Sequence, residues 1–414
     1  MSAHTLEVRP LWRNRDFMLL WTGQVVSTIG MRVTALAYPL LVLATTGSPL
    51  LAGVVGFAQA LPFLLVYLPA GALVDRLPRK RTMLVADAVR IVVLGSVAAG
   101  VFWDWLTFTH LVLAVFVDTV CFVFFQLAES AALPHIVPRQ QLPTALAQNQ
   151  ARENGAELAG QPLGGALFAI SHVLPFAADA VSYALSFLSL LFVRPRLEEE
   201  RERARQSLVA DIREGLTWLW RQHFLRAVVG LVGGTNIVLN ALPLVLIVRA
   251  QGMGASPGLI GVLLAFSGVA AIVGAFFAPW VQRRVPARLV VVGSLWVWAV
   301  GTAVLIWMPN PLSLGAAYGA TAIVGPIFNV VINAYRYALV PDRLQARTQS
   351  AARLITWGTI PLAPPLAGVL LQTIGSTGAL LALTALMLAV AVVATSTRAV
   401  RRAPQIEDLP PPTE

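Results

Sequence analysis

Two carboxylates one helical turn apart, Glu153 and Glu157, sit in a stretch that is otherwise mostly apolar or small. Residues four apart share one face of a helix, while Arg152, beside them in sequence, points elsewhere. A carboxylate far inside an apolar bundle favours its neutral form. Glu157 is therefore the first candidate for a group that takes up and releases a proton, followed by Glu153 and by the other deep carboxylate, Asp118. The competing reading of Glu157 is a static pair with Arg353 or Arg90. Arg32 and Asp118 lie at similar depth, roughly 16 and 13 Å from one end of their helices at ~1.5 Å per residue. Their charges can meet, either as a cavity ion pair or as a fixed structural one. The one-turn pairs Asn236 and Asn240, and Asn329 and Asn333, with Gln126, offer neutral hydrogen-bonding groups to a cavity or to neighbouring helices. No H-E-x-x-H, G-x-S-x-G or P-loop pattern occurs, and the five histidines fall at ends and loops. A hydrolase or an ATP-driven pump therefore has no chemical core, and no catalytic residue, metal ligand or cofactor is assigned.

The elements that position these groups follow from composition. Apolar residues make up 57% of the 414 positions and charged residues 12%, about half the ~25% of soluble proteins. A soluble chain of this length needs more polar surface to cover its core, so the excess apolar residues face lipid. A helix needs about 20 mainly apolar residues to cross the hydrocarbon. Twelve stretches qualify: 17–43, 50–74, 82–102, 109–128, 145–170, 174–193, 224–248, 257–281, 288–308, 312–334, 349–372 and 377–397. The first is too long for a signal peptide and reads as a span. The polar gap divides the chain into a six-helix bundle over 1–193, a linker over 194–223 and a second six-helix bundle over 224–397. In the linker Leu208, Ile212, Leu216 and Leu219 suggest a surface amphipathic helix. The Pro-rich tail, 398–414, is expected to be disordered. Trp103, Trp105, Trp296, Trp298 and Trp307 read mostly as interfacial anchors.

Charge tests the count independently, because short cytoplasmic loops collect Lys and Arg. With the N-terminus inside, all but three of the 30 basic residues fall in cytoplasmic segments or the helix ends beside them. The exceptions are Arg249 in an outer loop and Arg32 and Arg90 within spans. An even number of spans with both termini cytoplasmic follows. The net charge of +10 is explained by this topology and by contact with lipid headgroups, and it points to no nucleic acid.

The halves repeat. At a spacing of 208, Ser48-Pro49, Gly53, Arg76 and Pro78 match Ser256-Pro257, Gly261, Arg284 and Pro286. At a spacing of 203, Ala131, Val137-Pro138, Gly155 and Gly165 match Ala334, Val340-Pro341, Gly358 and Gly368, and Phe125-Gln126 resembles Phe328-Asn329. The matched loops share one orientation, so the repeats are parallel, about an axis along the membrane normal.

The loop after the second span carries a resemblance. Gly71-Ala72-Leu73-Val74-Asp75-Arg76-Leu77-Pro78-Arg79-Lys80-Arg81 resembles the major facilitator signature G-x-L-x-D-R-x-G-R-[RK], with Pro78 where Gly is usual. Gly71 would let helices approach closely, and Asp75 would accept hydrogen bonds from a neighbouring helix N-terminus. The resemblance implies a twelve-helix, all-α membrane fold. It implies a cytoplasmic gate at Gly71, Asp75, Arg76, Arg79, Lys80 and Arg353, with Asp75 braced against the eleventh span; the plainer reading is a turn with basic anchors. Asn14-Arg15-Asp16-Phe17, Leu20-Trp21, Ser27, Gly30, Ser130-Ala131-Ala132-Leu133-Pro134 and Asp179-Ala180 with Ser182 are similar to the bacterial multidrug, macrolide and enterobactin exporter branch. Met31 replaces an acid that many relatives carry, which weakens a coupling role for the first span. The fifth-span pattern G-P-x-x-G-G appears as Gly160-Gln161-Pro162-Leu163-Gly164-Gly165, its proline displaced by one. The branch implies a monomeric, proton-coupled exporter of small amphipathic or cationic compounds in a bacterial cytoplasmic membrane, with an importer, a channel or a membrane sensor or scaffold as alternatives.

Overall fold

The computed structural model describes residues 10–194, 214, 216–218, 220, 222–340, 348, 352 and 354–398. Most of the predicted linker helix, the tail from residue 399 and Arg353 lie outside them. The described residues form α1 (Arg15–Thr46), α2 (Pro49–Leu65), α3 (Tyr67–Val74), α4 (Arg79–Phe102), α5 (Phe108–Ile136), α6 (Leu142–Ile170) and α7 (Leu174–Leu191) in the first half. The second half holds α8 (His223–Gly252), α9 (Pro257–Arg284), α10 (Ala287–Val304), α11 (Pro311–Ala322), α12 (Val324–Leu339) and α13 (Ala363–Ser396).

Among the described residues nine helical stretches are long and apolar enough to cross a membrane, and ten when the bent pair α2–α3 counts as one span. Two further spans complete the twelve. Helix α6 is long enough to cross, but Arg152, Glu153 and Glu157 dilute its apolar character. The stretch Leu354–Ser396 holds two spans, not one. Within it Gly375 has φ 69° and ψ −179°, a region open only to glycine. A Cβ placed on Gly233 would lie 3.4 Å from Thr359 Cγ2, and one on Gly234 would lie 2.9 Å from Val390 Cγ2. A straight helix would hold Thr359 and Val390 about 46 Å apart at ~1.5 Å per residue. The chain therefore doubles back at Gly375, and both arms pack on α8.

Prolines place the other breaks. Proline clashes with the carbonyl four residues earlier and lacks the N–H that would bond to it. Pro69 acts on Leu65, where α2 ends and the chain bends by 49° into α3. Pro326 acts in the same way on Ala322, where α11 ends. The Ser-Pro pairs are helix starts: Ser48 Oγ accepts from the Leu51 N–H, Ser256 Oγ accepts from the Leu259 N–H, and each proline opens its helix.

The repeated residues join the halves. A Cβ on Gly53 would lie 2.5 Å from the Pro364 carbonyl oxygen, and one on Gly368 would lie 2.8 Å from that of Pro49. Across the molecule a Cβ on Gly165 would lie 2.2 Å from the Pro257 carbonyl oxygen, and one on Gly261 would lie 2.3 Å from that of Gln161. The partners correspond under the repeat: Pro49 with Pro257, Gly53 with Gly261, Gly368 with Gly165. Two matching seams, α2 on α13 and α6 on α9, thus bring backbone onto backbone at the end predicted to be external. Only glycine allows such contact.

Candidate functional site

Between the halves, beneath the two seams, lies a cavity of about 210 Å³. Arg32 and Gln59 reach it from α1 and α2, Gln161 from α6, Asn240 from α8, Tyr318 from α11 and Pro364 from α13. Both bundles therefore build one site. Arg32 is set in place by its neighbour: a Cβ on Gly160 would lie 2.3 Å from Arg32 Cβ. That close approach aims the Arg32 guanidinium along α6, where Nη2 lies 3.9 Å from Glu153 Oε2 and 4.0 Å from Glu157 Oε2. These are ion pairs beyond hydrogen-bond length. All three side chains are a third to nearly half exposed, and Arg32 lines the cavity.

This geometry corrects the sequence reading of Glu157. It is neither isolated in apolar surroundings nor paired with Arg90, and Arg353 lies outside the described residues. Arg32 faces it instead. The expected meeting of Arg32 and Asp118 does not occur either. Asp118 Oδ1 accepts from Arg90 Nε at 3.0 Å, with both side chains buried. Arg90 also donates to the Tyr183 hydroxyl, and its guanidinium carbon stands 3.7 Å from the Tyr183 ring centre. Similar depth proved insufficient, because Arg32 turns to the α6 carboxylates while Asp118 is buried against Arg90.

The Arg90–Asp118 pair belongs to a polar network inside the first bundle. Thr34 Oγ1 donates to Asp179 at 2.7 Å and Ser182 Oγ donates to it at 2.9 Å, so Asp179 ties α7 to α1. Ser186 Oγ donates to Asp87 at 2.7 Å and accepts from Gln24 Nε2 at 2.9 Å. Among the described residues every buried charged side chain lies in the first half, and the second buries only hydroxyl-bearing polar side chains. Breaking a buried pair by removing one partner costs about 3–5 kcal/mol. Asp118→Leu should therefore lower folded yield and melting temperature sharply, and Asp118→Leu with Arg90→Met should recover most of the loss. Thermal unfolding of the purified variants checks this; equal melting temperatures for the single variant and wild type would contradict it.

Two further residues extend the site: Glu129, which sequence reasoning passed over, and Arg152, which it read as pointing elsewhere. Arg152 does not point away from the carboxylates. Its Nη1 donates to Glu129 Oε1 at 2.7 Å, and its Nη2 reaches Glu129 Oε2 at 3.4 Å and Glu153 Oε1 at 3.2 Å. Glu129 and Arg152 are both buried.

The neutral candidates divide. Asn236 Nδ2 donates to the Thr356 carbonyl at 2.8 Å, a packing contact, whereas Asn240 donates back to Asn236 and lines the cavity. Asn329 and Asn333 are exposed one turn apart on α12, and Gln126 is half-buried on α5. Trp298 is buried, donating to the Thr321 carbonyl at 3.0 Å, so it is a packing residue and not an interfacial anchor.

The loop after α3 also divides. Among the described residues nothing lies within 4 Å of a Cβ placed on Gly71, so none of them makes the close helix approach expected there. Arg79 is buried against His135. Lys80 Nζ donates to the Leu191 and Val193 carbonyls at 3.0 and 2.5 Å, satisfying the free carbonyls at the end of α7. Asp75 and Arg76 are exposed.

Comparison with known proteins matches the family described as transmembrane secretion effector, MFS_3, over residues 7–410. The multidrug efflux pump Tap of Mycolicibacterium fortuitum is 26% identical over 392 residues, 91% of this chain and 94% of that protein. Macrolide efflux protein A of Streptococcus pyogenes is 24% identical over 231 residues, 55% of this chain and 56% of its own. A solved bacterial homologue of the iron transporter ferroportin, inward-facing, superposes with a TM-score of 0.75 at 15% identity, covering 95% of this chain and 100% of that one. A bacterial homologue of the lysosomal transporter Spinster gives 0.75 at 14%, covering 97% and 99%. The two solved structures establish the twelve-helix fold.

Proposed function

The chain belongs to the transmembrane secretion effector family of major facilitator transporters, and from that premise we propose that it exports small amphipathic or cationic compounds by alternating access, in exchange for protons. It is an integral membrane transporter and not an enzyme. The observation that carries the proposal is that Arg32, which lines the cavity between the halves, is ion-paired with Glu153 and Glu157 beside it. Two carboxylates against one guanidinium leave one uncompensated negative charge, which either a proton or a cationic solute neutralises. The efflux pumps among the relatives support export as the direction.

Alternating access follows from the seams. With the predicted outer end closed, solute enters the cavity from the other end; parting of the seams, as the two bundles rock about the site, releases it. Asp75, exposed at the end of α3, is assigned to closure of the inner end, where Arg76 is also placed. One chain supplies both walls of the cavity, so the working unit is a monomer. The clustering of basic residues at the predicted inner loops supports cytoplasmic termini for this bacterial membrane protein.

The test is accumulation of fluorescent monocationic amphiphiles in a bacterial host lacking its own efflux pumps. Cells making this protein should retain less dye than vector controls, and a protonophore should erase the difference. Equal retention across a chemically broad panel, with the protein shown to be in the membrane, would overturn the proposal.

A further inference from the structure

The five charged groups at the site form one ladder of alternating sign: Glu129, Arg152, Glu153, Arg32 and Glu157. Successive separations are 2.7, 3.2, 3.9 and 4.0 Å. The rungs change character along it. At one end Glu129 and Arg152 expose 9% and 6% of their side chains and meet through two contacts, whereas Glu157 at the other end exposes 44%. Glu129 touches neither Arg32 nor the cavity.

Its effect on the site is electrostatic. Arg152 is shared between Glu129 and Glu153 through a single nitrogen, Nη2. While Glu129 compensates Arg152, the three exposed groups keep one net negative charge. Without that carboxylate the Arg152 charge falls to Glu153, and the exposed set becomes neutral overall. Without Arg152 the exposed set gains the field of an extra buried carboxylate. We propose that Glu129 is a specificity-determining positioning residue: by neutralising Arg152 it keeps the exposed group of Glu153, Arg32 and Glu157, which meets the cavity through Arg32, at a net charge of minus one and so selects monocationic over neutral ligands. The assignment rests on the reading of this cavity as the substrate site.

The experiment uses purified full-length protein and a matched ligand pair, a tertiary amine amphiphile that is cationic at pH 7 and its neutral carbon isostere. The ratio of their dissociation constants is measured for wild type, Glu129→Gln, Arg152→Gln and the double variant. A unit charge acting over roughly 10 Å at an effective dielectric constant near 20 changes affinity about tenfold. The cation preference should fall about tenfold in Glu129→Gln, rise about tenfold in Arg152→Gln and return to within about twofold of wild type in the double variant. A structural role would not reverse sign between the two singles or be cancelled by combining them. Where a single variant does not fold, the other single and the double, which buries no lone charge, decide the matter. Unchanged ratios in a folded single variant, or a double variant that keeps the ratio of a single, would overturn the assignment. Flux of the pair is read separately. Wild type that binds with the cation preference but moves neither ligand contradicts the transport reading and leaves the assignment intact.

Discussion

Glu157→Gln should abolish gradient-driven transport and leave the fold intact. An amide carries no exchangeable charge, so the exposed set of Arg32 and Glu153 is neutral while Glu153 is ionised. Substrate should still bind and exchange across the membrane, while uphill flux driven by a pH gradient should drop to the level of protein-free vesicles. The effect on stability is small because the lost interaction is an exposed ion pair at 4.0 Å, and such pairs contribute ~0–1 kcal/mol. Folded yield, ligand binding and gradient-driven flux, measured on the same preparation, decide between coupling and scaffold. Normal flux with normal yield removes the coupling role from Glu157. Glu153 would then be next, since it shares Arg32.

A single methyl group in either seam should shift the resting conformation. A Cβ at Gly261 would stand 2.3 Å from the Gln161 carbonyl oxygen and 3.0 Å from Pro162 Cα. Both are backbone atoms and cannot rotate away, so α6 and α9 must part. Overpacking of this kind costs about 1–3 kcal/mol in the closed arrangement, a shift of roughly 5–150-fold toward states in which the seam is open. Gly53→Ala should act alike from the other seam, where its Cβ would meet the Pro364 carbonyl oxygen at 2.5 Å. The readout is labelling of Ala35→Cys, on the cavity wall, by an impermeant thiol reagent applied outside in a Cys121→Ser background. Labelling should rise several-fold in Gly261→Ala and Gly53→Ala and stay at the parental level in Gly71→Ala, whose Cβ would meet nothing within 4 Å among the described residues. Equal labelling in all of them would show that the seams are not the outer gate.

Much of this architecture is legible in the sequence because lipid imposes a simple rule on it. Most span ends fall within a few residues of the described helix ends, and four of the repeat glycines, Gly53, Gly165, Gly261 and Gly368, close the seams. Charge partners are less legible. The spacing of a residue from a helix end gives its depth but not the direction in which it points once six helices are packed. Arg32 and Asp118 share a depth, yet Arg32 is turned onto α6 by Gly160, and Asp118 faces Arg90 and Tyr183 within the bundle. Glu129 escaped notice for a different reason. The fourth apolar run ends at 128, one residue before it, whereas the helix continues to Ile136. Asp87 stands near the start of its span and reads as part of a polar helix end until its burial against Ser186 is seen. The reversal at Gly375 follows from a single residue between two apolar runs, and the count of spans signalled it.

The central claim is that one net negative charge, carried by Glu153 and Glu157 against the cavity-lining Arg32, exchanges a proton for a cationic solute. It is tested most directly by proton movement in proteoliposomes loaded with a pH-sensitive dye. At zero membrane potential, adding a monocationic substrate to one side should drive protons in the direction opposite to the substrate, near one for one. Glu157→Gln should carry substrate exchange without that proton signal. Substrate uptake by the wild-type protein with no accompanying change in pH would contradict the account.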